Sequence, residues 1–381
     1  MKKIVFVTGT RADYGKIKSI IQKLSYSKKY KIFIFVTGMH LLRKYARTYL
    51  HIFKDFKTHT SIFLSKNQKK NEPQDIILSR TIKNFSKYID KIKPNLIIVH
   101  GDRLEALAGS LVGTLKQYLV AHIEGGEISG TVDEHMRHAI SKLSHIHFVA
   151  NKLAKNLLIH MGENKKRVFI VGSPDIDIMA SKNIPDFYQV KKRYNIKFDS
   201  YALAIMHPNP LNLKKLPSEL NSFCEVIKKS QLKYVLIYPN NDPGSDYIIN
   251  FYKKKFNKNK KIRIIKSMRF EYFISLLKNS KFIIGNSSVG IRETPFFGIP
   301  TVDLGDRQKF RTSSLRVKNF KFRDKKKILT YINILDNKST KFTKSKEFGS
   351  GRSSEKIFKI LNSKGFWNTD VQKHFMRNRK N

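Results

Sequence analysis

Acidic residues are scarce in this 381-residue chain: 29 Asp and Glu stand against 75 Lys and Arg, a formal net charge of +46. Cysteine is nearly absent. The single Cys224, between Phe223 and Glu225, cannot form an intramolecular disulfide; it reads as a small core residue and suits a reducing compartment. No apolar run approaches the roughly eighteen residues that a membrane-spanning helix needs. In the opening "MKKIVFVTGTRADYG", Thr8 to Asp13 interrupt the apolar run before the core of a secretory signal would be complete, so a cytoplasmic protein is expected. Zinc-finger spacing and RNA-recognition motifs are missing too. "TGTRADYG" is neither a dinucleotide fingerprint nor a P-loop, and neither a nicotinamide cofactor nor ATP is implied.

A nucleic-acid binder, or a protein lying on anionic lipid, would use so large a positive charge. Here the lysines are spread over helix exteriors and loops, in stretches such as "SKNQKKNE", "KKKFNKNKK" and "RDKKK", beside Asn, Ser and Phe. That pattern reads as solvated faces, with no nucleic-acid partner.

What the chain does have is a strand–loop–helix beat. Short runs rich in β-branched and aromatic residues each meet a Gly, Pro, Asn or Asp signal and then a helix-compatible segment. In the first half the runs are "KIVFV", "KIFIFV", "NLIIV", "YLVAHI", "IHFVA" and "VFIV"; in the second they are "YALAIM", "YVLIY", "IRII", "KFII" and "TVDL". Continuous apolar strands alternating with helices imply parallel sheets covered on both faces, and two series imply two doubly wound α/β domains. Pro174 and Pro185 bracket a polar stretch between the series, which puts the boundary near residue 175: residues 1–175, then 176–352, then a helical segment over 353–381.

In such sheets, ligands bind beyond the carboxyl ends of the strands. The residues there are "TGTRADYGK", "TGMH", "HGDR", "HIEGGE", "GSP", "MHPNP", "PNNDPGS" and "GNSSVGIRE", where Arg, His, Asp, Glu and Ser fill positions that turn formers alone could satisfy. In the last of these, Ser287 and Ser288 are expected to cap a helix and offer donors to an anion. Arg11, Arg103 and Arg307 add positive charge, so the group held is expected to be a diphosphate. His207 before Pro208 reads either as a donor to that phosphate or as a structural histidine at a turn. Six of the 29 carboxylates crowd between Asp102 and Glu134. Asp102 and Glu124 follow strands of one sheet and Asp133 starts the next helix, so the three converge on one crevice. Carboxylates beside a diphosphate point to proton transfer. His122, His135, His138, His145 and His147 cluster near Glu124 without the spacing of a zinc site, and no metal is expected.

Taken in order, "GTRADYGK", "VTGMH", "HGDRLEALA", "AHIEGGEISGTVDEHMRHAISKLSHIHF", "GSPDID", "HPNP", "YPNNDPGS" and "GNSSVGIRETPFFGIPTVDLGDRQ" resemble the UDP-N-acetylglucosamine 2-epimerases, specifically the hydrolysing branch. The resemblance covers most of the chain. It implies a GT-B fold, two Rossmann-like domains facing each other across a cleft that holds the active site, with a C-terminal helix returning to the first domain. It implies a homo-oligomer without a cofactor. The implied reaction is anti elimination of UDP from UDP-N-acetylglucosamine to a 2-acetamidoglucal, then hydration to N-acetylmannosamine, the first committed step towards sialic acid.

By the same resemblance Asp102, Glu124 and Asp133 share the proton transfers, and Arg137 is a pocket arginine. The substrate contacts correspond to Arg11, Asp13, His40, Arg103, His207, Asn240, Ser287, Ser288, Glu293 and Arg307, with Glu293 accepting from the ribose hydroxyls. Non-hydrolysing relatives carry a longer insert and a glutamate pair where this chain has "GTVDEHMR". A sister branch that acts on UDP-2,4-diacetamido-2,4,6-trideoxyglucose tends to place His where Glu124 stands, so "HIEGGE" points to the N-acetylglucosamine substrate. The competing readings are those two branches, a GT-B glycosyltransferase, and a basic binding module.

Overall fold

The structure is a computed structural model that describes residues 1–43, 47–56, 60–66, 72–129, 133–240, 242–257, 259–308, 316–337 and 342–376, with the backbone alone at 210 and 211. All eleven apolar runs are strands: β1 Lys2–Thr8, β2 Tyr30–Val36, β4 Leu96–His100, β5 Leu119–Ile123, β6 Ile146–Val149, β7 Val168–Ile170, β8 Ala202–Ile205, β9 Tyr234–Ile237, β10 Ile262–Ile265, β11 Ile283–Gly285 and β12 Thr301–Leu304. Two more appear, β3 Thr60–Leu64 and β13 Val317–Phe320. They form two parallel sheets, ordered β3-β2-β1-β4-β5-β6-β7 and β10-β9-β8-β11-β12-β13. Both reverse direction of winding next to their first strand, at β1/β4 and at β8/β11. Each sheet is flanked by helices, a GT-B-like arrangement of two Rossmann-type units.

The chain divides into two compact units. One gathers Met1–Glu127, Asp133–Ser181 and Glu347–Asn381, and the other gathers Ile128–Val132 and Lys182–Lys346. Within the first, side-chain alternation feeds two cores. Ile4, Phe6, Ile32, Ile34, Ile98 and Ala121 pack with Ile17, Ile20 and Leu24 of the helix Arg11–Ser25. Their neighbours Val5, Val7, Phe33, Phe35, Ile97 and Val120 pack with Phe85 and Ile89 of the helix Gln74–Ile92. Burial on both faces is why these strands read as unbroken apolar runs. In the second unit, Ala202, Ala204, Leu236, Ile284, Val302 and Leu304 share a core with Leu220, Phe223 and Cys224 of the helix Leu216–Lys229.

The C-terminal segment belongs to the first unit. Ile357 and Leu361 of the helix Ser353–Leu361 enter the core under Arg11–Ser25. Asp177 caps that helix, accepting from the backbone N–H of Ser353 and Ser354 at 2.7 Å each. Further on, the Lys373 ammonium donates to the carbonyls of Ser141, Lys142 and Ser144 at the end of the helix Asp133–Leu143, where the helix dipole favours a cation. No described helix is long and apolar enough to cross a membrane.

Candidate active site

In the first unit the carboxyl ends of β1, β4 and β5 carry the expected residues. Thr10 caps the helix Arg11–Ser25 and its side chain accepts from the Asp13 N–H at 3.2 Å. Asp13 completes a capping box: its carboxylate accepts from Gly9 N at 3.0 Å, Thr10 N at 3.1 Å and the Thr8 hydroxyl. His40 is fully buried, with Nε2 3.0 Å from Thr8 Oγ1 and Nδ1 2.8 Å from Thr48 Oγ1. Asp13 and His40, expected among the substrate contacts, therefore direct these bonds into the loops that follow β1 and β2. Arg11 begins the helix and is partly buried.

Asp102 and Arg137 form an ion pair. Arg137, 2% exposed, also donates to the Glu127 carbonyl at 2.7 Å, which ties the loop after β5 to the residue after β4. Asp133 opens the helix that carries Arg137 one turn later; Gly130, Thr131 and Val132 of the "GTVDEHMR" stretch lie outside the described residues. Below this pair His122 bonds the Gly101 carbonyl at 2.7 Å and Ser141 Oγ at 3.0 Å.

Glu124 stands immediately after β5 with φ +64°, a left-handed conformation that costs a non-glycine residue about 1–2 kcal/mol. Its side chain is buried. Oε2 lies 3.1 Å from His100 Nε2 and 3.3 Å from Lys16 Nζ, and Oε1 accepts from the Ser173 hydroxyl. Arg103 precedes the helix Leu104–Leu115, its Nε 3.5 Å from Glu105 Oε2. Glu105 fills the room left by two glycines: a Cβ on Gly9 or on Gly38 would come 2.3 Å from its carboxyl group. Burial raises the Glu105 pKa above the usual carboxylate range, against the opposing pull of Arg103.

Burial lowers the pKa of His40 to about 4 and that of His122 to about 3. An unfolded chain keeps both near 6.5, so between about pH 6.5 and pH 3 the unfolded state binds more protons. Stability from these two groups is complete above pH 6.5 and drains away as pH falls through that window, by on the order of 4 kcal/mol each. Urea midpoints are expected to be level from pH 8 to 7 and to drop below 6.5, with a shallower drop in His122→Gln; a flat profile down to pH 4.5 would contradict this.

The second unit builds its own cluster where β8 and β11 part. Asn286, directly after β11, accepts from His207 N at 2.7 Å and donates to His207 O at 2.8 Å. The Asn240 N–H donates to His207 Nδ1 at 3.3 Å, which leaves the ring proton of the neutral imidazole on Nε2. Burial, and then the charge of Arg307, keep the His207 pKa well below its ordinary value. Arg307 and Gln308 donate to the Asn286 carbonyl at 3.2 and 3.0 Å. His207, Asn240 and Arg307 thus share one network with Asn286 as its link.

One expectation in this cluster needs correction. "GNSSVGIRE" does not open an ordinary helix: it leads into Val289–Arg292 and then Thr294–Phe297, four residues each, parted at Glu293. Ser288 occupies the N-cap position without a side-chain capping bond, and Ser287 Oγ accepts from Val289 N at 3.5 Å. Pro295 at the start of the second turn lacks the N–H that one continuous helix would use. Glu293 is buried at the junction.

A family model described as UDP-N-acetylglucosamine 2-epimerase matches residues 22–362. Over 99% of both chains the sequence is 39% identical to the UDP-N-acetylglucosamine 2-epimerase of Neisseria meningitidis serogroup B. The chain belongs to the UDP-N-acetylglucosamine 2-epimerase family. It is also 33% identical to the UDP-N,N'-diacetylbacillosamine 2-epimerase (hydrolyzing) of Legionella pneumophila, over 95% of this chain and 96% of that one. Its fold matches a crystal structure of UDP-GlcNAc 2-epimerase from Neisseria meningitidis bound to UDP-GlcNAc, with a TM-score of 0.80 at 21% identity over 94% of this chain and 99% of the other.

Family membership makes epimerase chemistry on a UDP-sugar the frame for these clusters. Sequence reasoning overlooked Lys16, His100, Glu105, Ser173, Asp175 and Asn286, although all but Glu105 and Asp175 touch a residue it named as catalytic or nucleotide-binding through a contact of 3.3 Å or less. Lys16 carried one usable signal: it lies four residues before the buried Ile20 on the inward face of its helix.

Proposed function

We propose that the protein hydrolyses UDP-N-acetylglucosamine with inversion at carbon 2, releasing N-acetylmannosamine and UDP. The observation that carries this reading is Glu124: a buried carboxylate in left-handed backbone, at the carboxyl end of a sheet strand, facing Lys16 and His100. Strain and burial at a strand end are what a proton-transfer group tolerates and a structural one has no need of.

The hydrogen on carbon 2 is a poor acid, so the protein must supply a base and stabilise the leaving group as it departs. A carboxylate takes that proton while the bond from carbon 1 to the UDP oxygen breaks, and the electron pair becomes the double bond of 2-acetamidoglucal. Water then adds its oxygen to carbon 1 and gives up one proton to a carboxylate, while a carboxylic acid delivers a proton to the opposite face of carbon 2. Asp102, Glu124 and Asp133 share these transfers. In the second unit Arg307, with the Nε2–H of His207, receives the diphosphate charge, and Glu293 the ribose. The hydrolysing activity named for the Legionella relative supports water, rather than returning UDP, as the second reactant.

Incubation with UDP-N-acetylglucosamine in deuterated water, followed by NMR, tests the reading. Free N-acetylmannosamine with deuterium at carbon 2 is expected; accumulation of UDP-N-acetylmannosamine would assign the non-hydrolysing reaction instead. The same relative favours one second reading, hydrolysis of a UDP-diacetamido sugar, and a higher kcat/KM for that substrate would select it. Asp102→Asn and Asp133→Asn are each expected to slow UDP release by about 10²-fold or more, the range of a lost acid–base group. Full activity in either removes that residue from the assignment.

A further inference from the structure

Asp175 has no part in the scheme above, yet it is placed next to it. It is fully buried, and neither of its carboxylate oxygens has a hydrogen-bond donor among the described residues. A carboxylate out of water without donors stays ionised only beside a cation. The cation is Lys16: Nζ lies 3.3 Å from Asp175 Oδ2 and 3.3 Å from Glu124 Oε2. One ammonium therefore serves two buried carboxylates. Glu124 directly follows β5, and Asp175 opens the short helix Asp175–Met179, two residues beyond Ser173 in the loop after β7. That loop is held in its turn, because Ser173 N donates to the Phe348 carbonyl at 2.6 Å while its hydroxyl donates to Glu124.

We propose that Asp175 is a positioning residue for Glu124, acting through the Lys16 ammonium that the two carboxylates share. The proposal rests on Glu124 being a proton carrier. Charge sharing has a definite consequence. If Lys16 faced Glu124 alone, its whole field would favour the carboxylate form and make Glu124 a weak base that releases a proton readily but is slow to take one. Asp175 draws the ammonium towards itself and adds a second negative charge, and both effects return basicity to Glu124. Among the described residues, the groups that face Glu124 include Lys16 from the first helix, His100 from the end of β4, the Ser173 hydroxyl, and Asp175 behind the lysine. Of these, Asp175 and Lys16 are the pair whose removal should act in opposite directions.

The test is the titration of Glu124 in the full-length protein carrying ¹³C-labelled glutamate, its carboxyl resonance identified by loss in Glu124→Gln. This readout needs no turnover, so it separates a failure of the proposal from a failure of the assigned reaction. Asp175→Asn, which keeps the shape and removes the charge, should move the midpoint down by about one pH unit, and Lys16→Met should move it up by a similar amount. The acid limb of kcat/KM for UDP release should follow the same two directions, and Asp175→Glu should restore most of the wild-type profile. A midpoint that stays within 0.2 pH unit, as an approximate reading error, in Asp175→Asn while Lys16→Met shifts it would overturn the proposal, as would shifts of the same sign in both. Should Asp175→Asn fail to fold, an unshifted midpoint in Lys16→Met alone would be enough to reject it.

Discussion

Glu124→Gln is expected to lower UDP release by about 10³-fold, within the range for a general acid or base, while leaving the protein folded. Glutamine matches the shape of glutamate, can still accept from the Ser173 hydroxyl, and faces the same left-handed backbone cost. What it loses is the ability to carry a proton. The ammonium of Lys16 keeps a counter-charge in Asp175, so the substitution leaves no uncompensated cation in the interior. A stability change of about 1 kcal/mol is consistent with one lost ion contact. UDP release by a coupled assay and a thermal melt on the same preparation separate the two effects. Turnover within threefold of wild type, as a rough threshold, would remove Glu124 from the chemistry.

How far the sequence could be read follows from what each strand buries. Central strands such as β1 and β4 present alternate residues to two cores, so Ile4 to Val7 and Leu96 to Val99 are apolar without a break and the run stands out. The two strands that escaped notice lie at the edges of their sheets. β3 is "TSIFL", with Ser61, Phe63 and Leu64 exposed, and β13 is "VKNF", with Lys318 and Asn319 exposed. Half-solvated strands in a lysine-rich chain look like loop. The same reasoning separates the site residues. Asp102 and Glu124 were legible because they stand within two residues of the end of an apolar strand in a chain so poor in acids. Lys16 was harder to see, since one lysine among 75 Lys and Arg is set apart only by its spacing from Ile20 on the inward face of its helix. Asp175 and Glu105 look like first-turn helix acids, and packing alone shows them to be enclosed. The short paired helices after β11 were misread because Ser-Ser after a strand resembles a cap, whereas Pro295 and the turn at Glu293 set the geometry.

Gly285→Ala is expected to produce the largest loss of stability of any single methyl addition at the described glycines. Gly285 ends β11 opposite Ile205 of β8 with φ +140°, and a Cβ built there would lie 1.7 Å from the Ile205 carbonyl oxygen. That atom is backbone in a central strand pair, so no side chain can swing away to make room. The strands must part, and the first bond to suffer is Asn286 N–H to the same Ile205 carbonyl, now 3.2 Å. Asn286 then loses its register with His207, to which it is tied by two bonds, and with it go the contacts from Arg307 and Gln308. A backbone clash combined with a disallowed conformation belongs to the group of substitutions that cost more than about 4 kcal/mol. Gly101→Ala provides the control: φ is +73°, but nothing lies within 4 Å of the added methyl, so only the left-handed penalty of about 1–2 kcal/mol applies. Denaturant unfolding of the two variants, with UDP affinity by calorimetry on whatever folds, should show Gly285→Ala losing several times more stability than Gly101→Ala and losing UDP binding as well. Equal losses would mean that β8 and β11 can separate at their ends without disturbing the His207–Asn286 pair, and UDP binding retained in Gly285→Ala would remove that pair from the proposed nucleotide contacts.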